Sequence, residues 1–151
     1  VEILKKKNLF EIIRYNIFEK KIFYLGICVG MQILGDYGTE LKKTDGFSLI
    51  DGSVEKIKTS KFLLPNIGWH KVNLKDKNND LFKGIKPEEM FFYFVHSYSF
   101  LAKNRANITS TIFYENEVVA SIKKENIYGV QFHPEKSQNS GCKLLKNFCN
   151  L

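Results

Sequence analysis

A cysteine held between glycines, after an apolar run and before a helical pattern, constrains this chain more than any other feature. In FYLGICVGMQ, Phe23 to Gln32, the run KIFYLGI reads as a short strand buried on both faces. Gly26 permits tight packing, Cys28 stands at the corner, and Gly30 lets the following helix approach closely. This is the strand–turn–helix pattern of a nucleophile elbow, with sulfur in place of oxygen. It holds a side chain exposed on a strained backbone. The helix N-terminus points N–H groups at the sulfur, which favours thiolate, and the Val29 N–H can receive an oxyanion. The competing reading is that Cys28 is a small core hydrophobe.

A nucleophilic cysteine needs a base, and the base an orienting group. Three histidines are available: His70, His96 and His133. His133 closes the β-prone run of YGVQFHPEKS, where Pro134 ends the strand because it cannot donate to a ladder. Glu135, two residues on, can return its carboxylate to one imidazole nitrogen and leave the second facing the sulfur, the logic of a Cys–His–Glu triad. Alone, His133 reads as a satisfied strand-end histidine and Glu135 as a solvated acid; beside the elbow those readings lose weight.

The rest of the pattern alternates helix and strand at both ends around an antiparallel-looking middle. NLFEIIRYNIFEKK has apolar residues at 9, 12, 13 and 17, with Asn8 and Glu11 placed as a capping box. MQILGDYG reads as a short helix, and residues 47–58 as strand–turn–strand about Asp51-Gly52. FFYFVHSYSF, NITSTIFY and VVASIKKENIYGVQF read as strands, the last broken by a turn near Glu125-Asn126. A closing helix over about 138–150 turns Leu144, Leu145 and Phe148 inward. These elements predict one α/β domain over 1–151, a sheet with flanking helices and an inserted β-ribbon, with no repeats or linker.

The net charge of +7 comes from scattered lysines, with Arg14 and Arg105 the only arginines, so a solvated surface is favoured over nucleic-acid binding. No apolar run approaches the roughly 20 residues of a membrane span, and the start lacks a signal-peptide pattern. Three cysteines, an odd number, point to a reducing, cytoplasmic setting. Cys142 and Cys149 share one face of the last helix without ligand-spaced partners, which reads as packing, with no metal and no organic cofactor implied.

GICVGMQ, GWHKV, YFVHSY and GVQFHPEKSQNSG closely resemble the class I glutamine amidotransferases, and within them the glutaminase subunits of imidazole glycerol phosphate synthase. The likeness runs from about Tyr24 to the C-terminus. It implies a three-layer, open, mostly parallel, flavodoxin-like sheet, and hydrolysis of L-glutamine to glutamate and ammonia through a thioester on Cys28, with His133 and Glu135 completing the triad. Ammonia would pass to a (β/α)₈-barrel subunit, in a heterodimer making imidazole glycerol phosphate and AICAR for histidine biosynthesis. Carried over by position, Gln32 and Glu40 hold the amino-acid end of the substrate, and Val95, His96, Ser97 and Tyr98 line its pocket. Trp69 and Lys136 face the synthase. Core packing for His96 and burial for Trp69 are the alternatives. In two respects the chain departs from the family. About 50 residues with a glycine-rich loop, source of a second oxyanion donor, are expected before the cysteine, and nothing in Val1–Ile22 resembles that loop, so the chain is expected to lack its N-terminal part. His70 replaces the asparagine expected after Gly-Trp, which leaves open a sugar amidotransferase of surface-polysaccharide synthesis as partner; the expected loss of the N-terminal part leaves open a non-catalytic copy that only docks.

Overall fold

The computed structural model describes residues 4, 6–76 and 78–151. Helix α1 spans Leu9–Phe18 and leads into strand β1, Tyr24–Ile27, then helix α2, Val29–Gln32. Short strands β2 (Tyr37–Gly38) and β3 (Thr44–Asp45) precede β4 (Gly52–Lys56), β5 (Asn66–Lys71) and β6 (Asn73–Leu74). Then follow β7 (Phe91–His96), β8 (Tyr98–Ala102), β9 (Ile108–Tyr114), β10 (Asn116–Lys124), β11 (Ile127–Val130) and helix α3 (Gln138–Cys149).

Five strands form the main sheet in the order β1-β11-β10-β9-β6; β3-β2-β4-β8 and β5-β7 form two smaller sheets. Period-2 alternation divides the main sheet's side chains between two cores. Val118, Ala120, Tyr128 and Val130 pack with Phe92, Phe94, Phe132 and Leu144 of α3. Val119, Ile122 and Ile127 pack on the opposite side with Ile17 of α1, Met31 and Leu34. Val119 and Ile122 share a face although three apart, because the β9–β10 register shifts on either side of Ser121. Helices and loops thus cover both faces of a sheet, the α/β architecture the sequence predicts.

Several local expectations change. Parallel pairing is confined, among the described strands, to β1 with β11 and β2 with β4, so the antiparallel share exceeds a mostly parallel sheet. Of KIFYLGI only Tyr24–Ile27 is strand; Ile22 and Phe23 precede it and are exposed. Asn8 sits at φ 56° with no side-chain capping bond, so no capping box forms. Residues 47–50 are a loop, not a strand, with Phe47, Leu49 and Ile50 buried: the N–H groups of Phe47 and Leu49 donate to Ile33 and Leu34 carbonyls just past α2. Cys142 and Cys149 are exposed, which corrects the packing reading. The aromatic run FFYFVHSYSF divides at Ser97: β7 pairs with β5, while β8 pairs with β4. The turn at Glu125-Asn126 and the inward Leu144 form as expected.

Candidate active site

Parallel neighbours β1 and β11 end side by side, with Ile27 opposite Val130 and the Cys28 N–H donating to the Val130 carbonyl at 2.8 Å. The residues that follow the two strands, Cys28 on one and Gln131 to His133 on the other, therefore emerge at one sheet edge. Cys28 has φ 52° and ψ −110°, a conformation costly for a residue with a Cβ. The reversal depends on Gly26: a Cβ there would lie 2.3 Å from the Gly30 carbonyl oxygen.

The Cys28 thiol points to the Val95 carbonyl at 4.0 Å and accepts from Gln131 Nε2 at 3.8 Å. Burial raises its pKa; the Val29 N–H and Gln131 lower it, and Glu135 and Glu40 raise it. The expectation of a resting thiolate is corrected here. A four-residue helix supplies little dipole, and the site withdraws the sulfur from water. The thiol therefore needs a base.

His133 Nδ1–H donates to Glu135 Oε1 at 2.7 Å across the 3₁₀ turn Pro134–Lys136. Its backbone is fixed by N–H donation to Tyr93 O at 2.9 Å and by Ser137 Oγ on its carbonyl at 2.6 Å. The Nε2 is buried with no hydrogen-bond partner among the described residues. With Nδ1 carrying the proton, Nε2 is left as a lone-pair base.

A hollow of about 240 Å³ opens beside the elbow, lined among others by Val29, Gln32, Gly38, Glu40 and Asp45. Gln32 Nε2 donates to Tyr98 O at 3.2 Å and to Gln131 Oε1 at 3.1 Å. A larger hollow of about 830 Å³ beside Glu115 contains no cysteine or histidine, and Glu115 is occupied in accepting from Thr59, Ser60 and Lys61. The smaller one adjoins Cys28 through its chain neighbour Val29 and carries Gln32 and Glu40 on its wall.

Val95, His96, Ser97 and Tyr98 lie at the switch from β7 to β8, beside Cys28 and Gln32. His96 is buried, so its core reading holds, yet both ring nitrogens are hydrogen-bonded, to Asn66 and to Tyr98 O. Trp69 is 45% exposed and meets Tyr93 edge-on, against the reading of it as buried; Lys136 is exposed beside Glu135. Missed in the sequence was Gln131, wholly buried between Val130 and Phe132, a polar residue in an apolar strand end that signals a fixed partner. Asn66 was missed too.

Burial holds His96 at a pKa of about 4, against the Tyr98 carbonyl, which raises it; nearby His70 and His133 lower it further. The unfolded chain takes that proton near pH 6.5 and the folded chain only near 4, so stability falls as pH drops through that window. The loss amounts to about 3 kcal/mol. Urea midpoints at about pH 7 and pH 4.5 should separate for the parent and converge for His96→Gln; an equally acid-sensitive variant would refute the assignment to His96.

Residues 5–151 match the family model of glutamine amidotransferase class-I. The chain belongs to the class I glutamine amidotransferases. This amidotransferase chain is 46% identical over 129 residues to the imidazole glycerol phosphate synthase subunit HisH of Pelagibacter ubique, covering 84% of the chain and 61% of that relative. It is 45% identical to the subunit of the same name from Pyrococcus furiosus, over 93% of the chain and 71% of the relative. It thus spans between about three-fifths and seven-tenths of these relatives' length. Among solved structures it resembles a glutamine amidotransferase from Thermotoga maritima, TM-score 0.59 at 22% identity over 95% of the chain and 54% of that one. A putative GMP synthase component from Thermoplasma acidophilum aligns with TM-score 0.63 at 21% identity, over 97% and 65%. At such identities these structures bear on the amidotransferase fold alone.

Proposed function

We propose that this chain is the glutaminase part of imidazole glycerol phosphate synthase, hydrolysing L-glutamine at Cys28 and passing ammonia to a barrel-shaped synthase subunit. The carrying observation is the elbow cysteine at the end of β1 beside a His133–Glu135 pair whose Nε2 has no partner among the described residues. The names of the relatives support the pathway and the partner subunit. Exposed Trp69 and Lys136 are the proposed docking residues, and three free cysteines fit a cytoplasmic setting.

His133 Nε2 takes the proton from the Cys28 thiol as sulfur attacks the side-chain amide carbon of glutamine. The oxygen becomes an oxyanion facing the Val29 N–H. The imidazolium, stabilised by Glu135, returns its proton to the leaving nitrogen, and ammonia departs. Water, deprotonated by the same nitrogen, attacks the thioester; glutamate leaves and the thiol reforms. Gln32 and Glu40 are the proposed hold on the amino-acid end, and the Val95–Tyr98 segment the pocket wall.

The test is glutamate release from L-glutamine with the barrel subunit supplied, for the parent, His133→Ala and Glu135→Gln. The histidine moves protons while the carboxylate orients it, so His133→Ala should cost at least tenfold more than Glu135→Gln. A parent that releases no glutamate contradicts the function, and a greater loss at Glu135 contradicts the roles.

A further inference from the structure

A chain of hydrogen bonds runs from His70, on the face of β5 opposite Trp69, into the pocket wall. His70 Nε2 meets Asn66 Oδ1 at 2.7 Å, Asn66 Nδ2 meets His96 Nε2 at 3.1 Å, and His96 Nδ1 meets Tyr98 O at 2.8 Å. The same carbonyl accepts from Gln32 Nε2. Its direction is forced. A carbonyl can only accept, so His96 carries its proton on Nδ1 and, being neutral, accepts at Nε2. Asn66 must then offer its amino group to His96 and its oxygen to His70, which leaves His70 Nε2 as the donor. Asn66 is 0% and His96 6% exposed, so a missing bond would not be made good by bulk water.

The geometry is built for the purpose. Asn66 lies opposite His96 in the β5–β7 register. Four positions along a straight strand separate Cα atoms by about 13 Å, beyond the reach of an asparagine and a histidine. They meet across Gly68, which stands between them at φ 146° and has nothing within 4 Å of where a Cβ would lie. The His70 ring is held edge-on by Phe94 and Tyr114, with centroids at 5.6 Å and 5.7 Å.

We infer that His70 and Asn66 are positioning residues: by fixing the tautomer of His96 they hold the Tyr98 carbonyl, and through it Gln32, in place for glutamine. The inference rests on the glutaminase reading, and its test separates the two. His70→Phe keeps the ring contacts and deletes the donor; His70→Gln replaces the ring but retains an N–H. With the barrel subunit present, His70→Phe should raise the KM for glutamine about 3–10-fold with kcat changed much less, and His70→Gln should recover most of that. In the chain itself, nitrogen-15 imidazole spectra should place the proton on Nδ1 of His96 and on Nε2 of His70, and His70→Phe should shift the Gln32 side-chain amide. A glutaminase whose KM ignores His70→Phe, or is not recovered by His70→Gln, overturns the inference and leaves the function standing. The opposite tautomer on His96, or an unmoved Gln32 amide, overturns it whether or not the chain hydrolyses glutamine.

Discussion

Cys28→Ala is expected to lower glutamine hydrolysis by roughly 10⁴–10⁶, to the level left by substrate binding alone. No second group in the site replaces the sulfur. His133 Nε2 is positioned as a base, Gln131 and Gln32 are amides bonded to one another, and Cys142 and Cys149 are exposed on α3. Alanine removes only the sulfur and leaves the pocket lining intact, so glutamine binding and docking to the proposed synthase subunit should survive. Glutamate release and direct glutamine titration of the same variant check both halves. Residual turnover above about a hundredth of the parent's would assign the attack to another group.

Gly26→Ala should destabilise the fold by about 3–5 kcal/mol. Its Cβ would stand 2.3 Å from Gly30 O, 2.5 Å from Gly30 C and 2.7 Å from Met31 N. All three are backbone atoms, so relief requires moving α2 away from β1, and with it the Cys28 corner and the Val29 N–H. Gly30→Ala is the control. Among the described residues nothing lies within 4 Å of a Cβ at position 30, so the close approach expected there rests on Gly26 alone. Because alanine favours a helix interior over glycine, Gly30→Ala should stay within about 1 kcal/mol of the parent. Urea unfolding of the pair measures this; a mild Gly26→Ala or a severe Gly30→Ala would contradict the packing at the elbow.

What was legible in the sequence was local. The elbow occupies consecutive residues, and the His133–Glu135 bond spans a two-residue separation, so each motif carries its own geometry. Both ends of FFYFVHSYSF are aromatic and β-prone, and only pairing with β5 on one side and β4 on the other divides it at Ser97. The loop 47–50 has strand-like side chains, but its N–H groups bond to carbonyls just past α2 instead of a ladder. The raised thiol pKa depends on burial and on carboxylates brought from positions 40 and 135. Gln131 and Asn66 gain meaning only from partners 99 and 30 residues away.

The most direct measurement of the central claim is covalent capture with a glutamine analogue bearing a chloromethyl ketone in place of the amide. Attack by sulfur forms a carbon–sulfur bond and expels chloride, while the thiol proton passes to His133. Peptide mass mapping after limited exposure should find the adduct on Cys28, with protection by excess L-glutamine and little modification of Cys142 or Cys149. An adduct that glutamine competes away from Cys142 or Cys149 while Cys28 stays unmodified would contradict the assignment of the nucleophile and the site built around it.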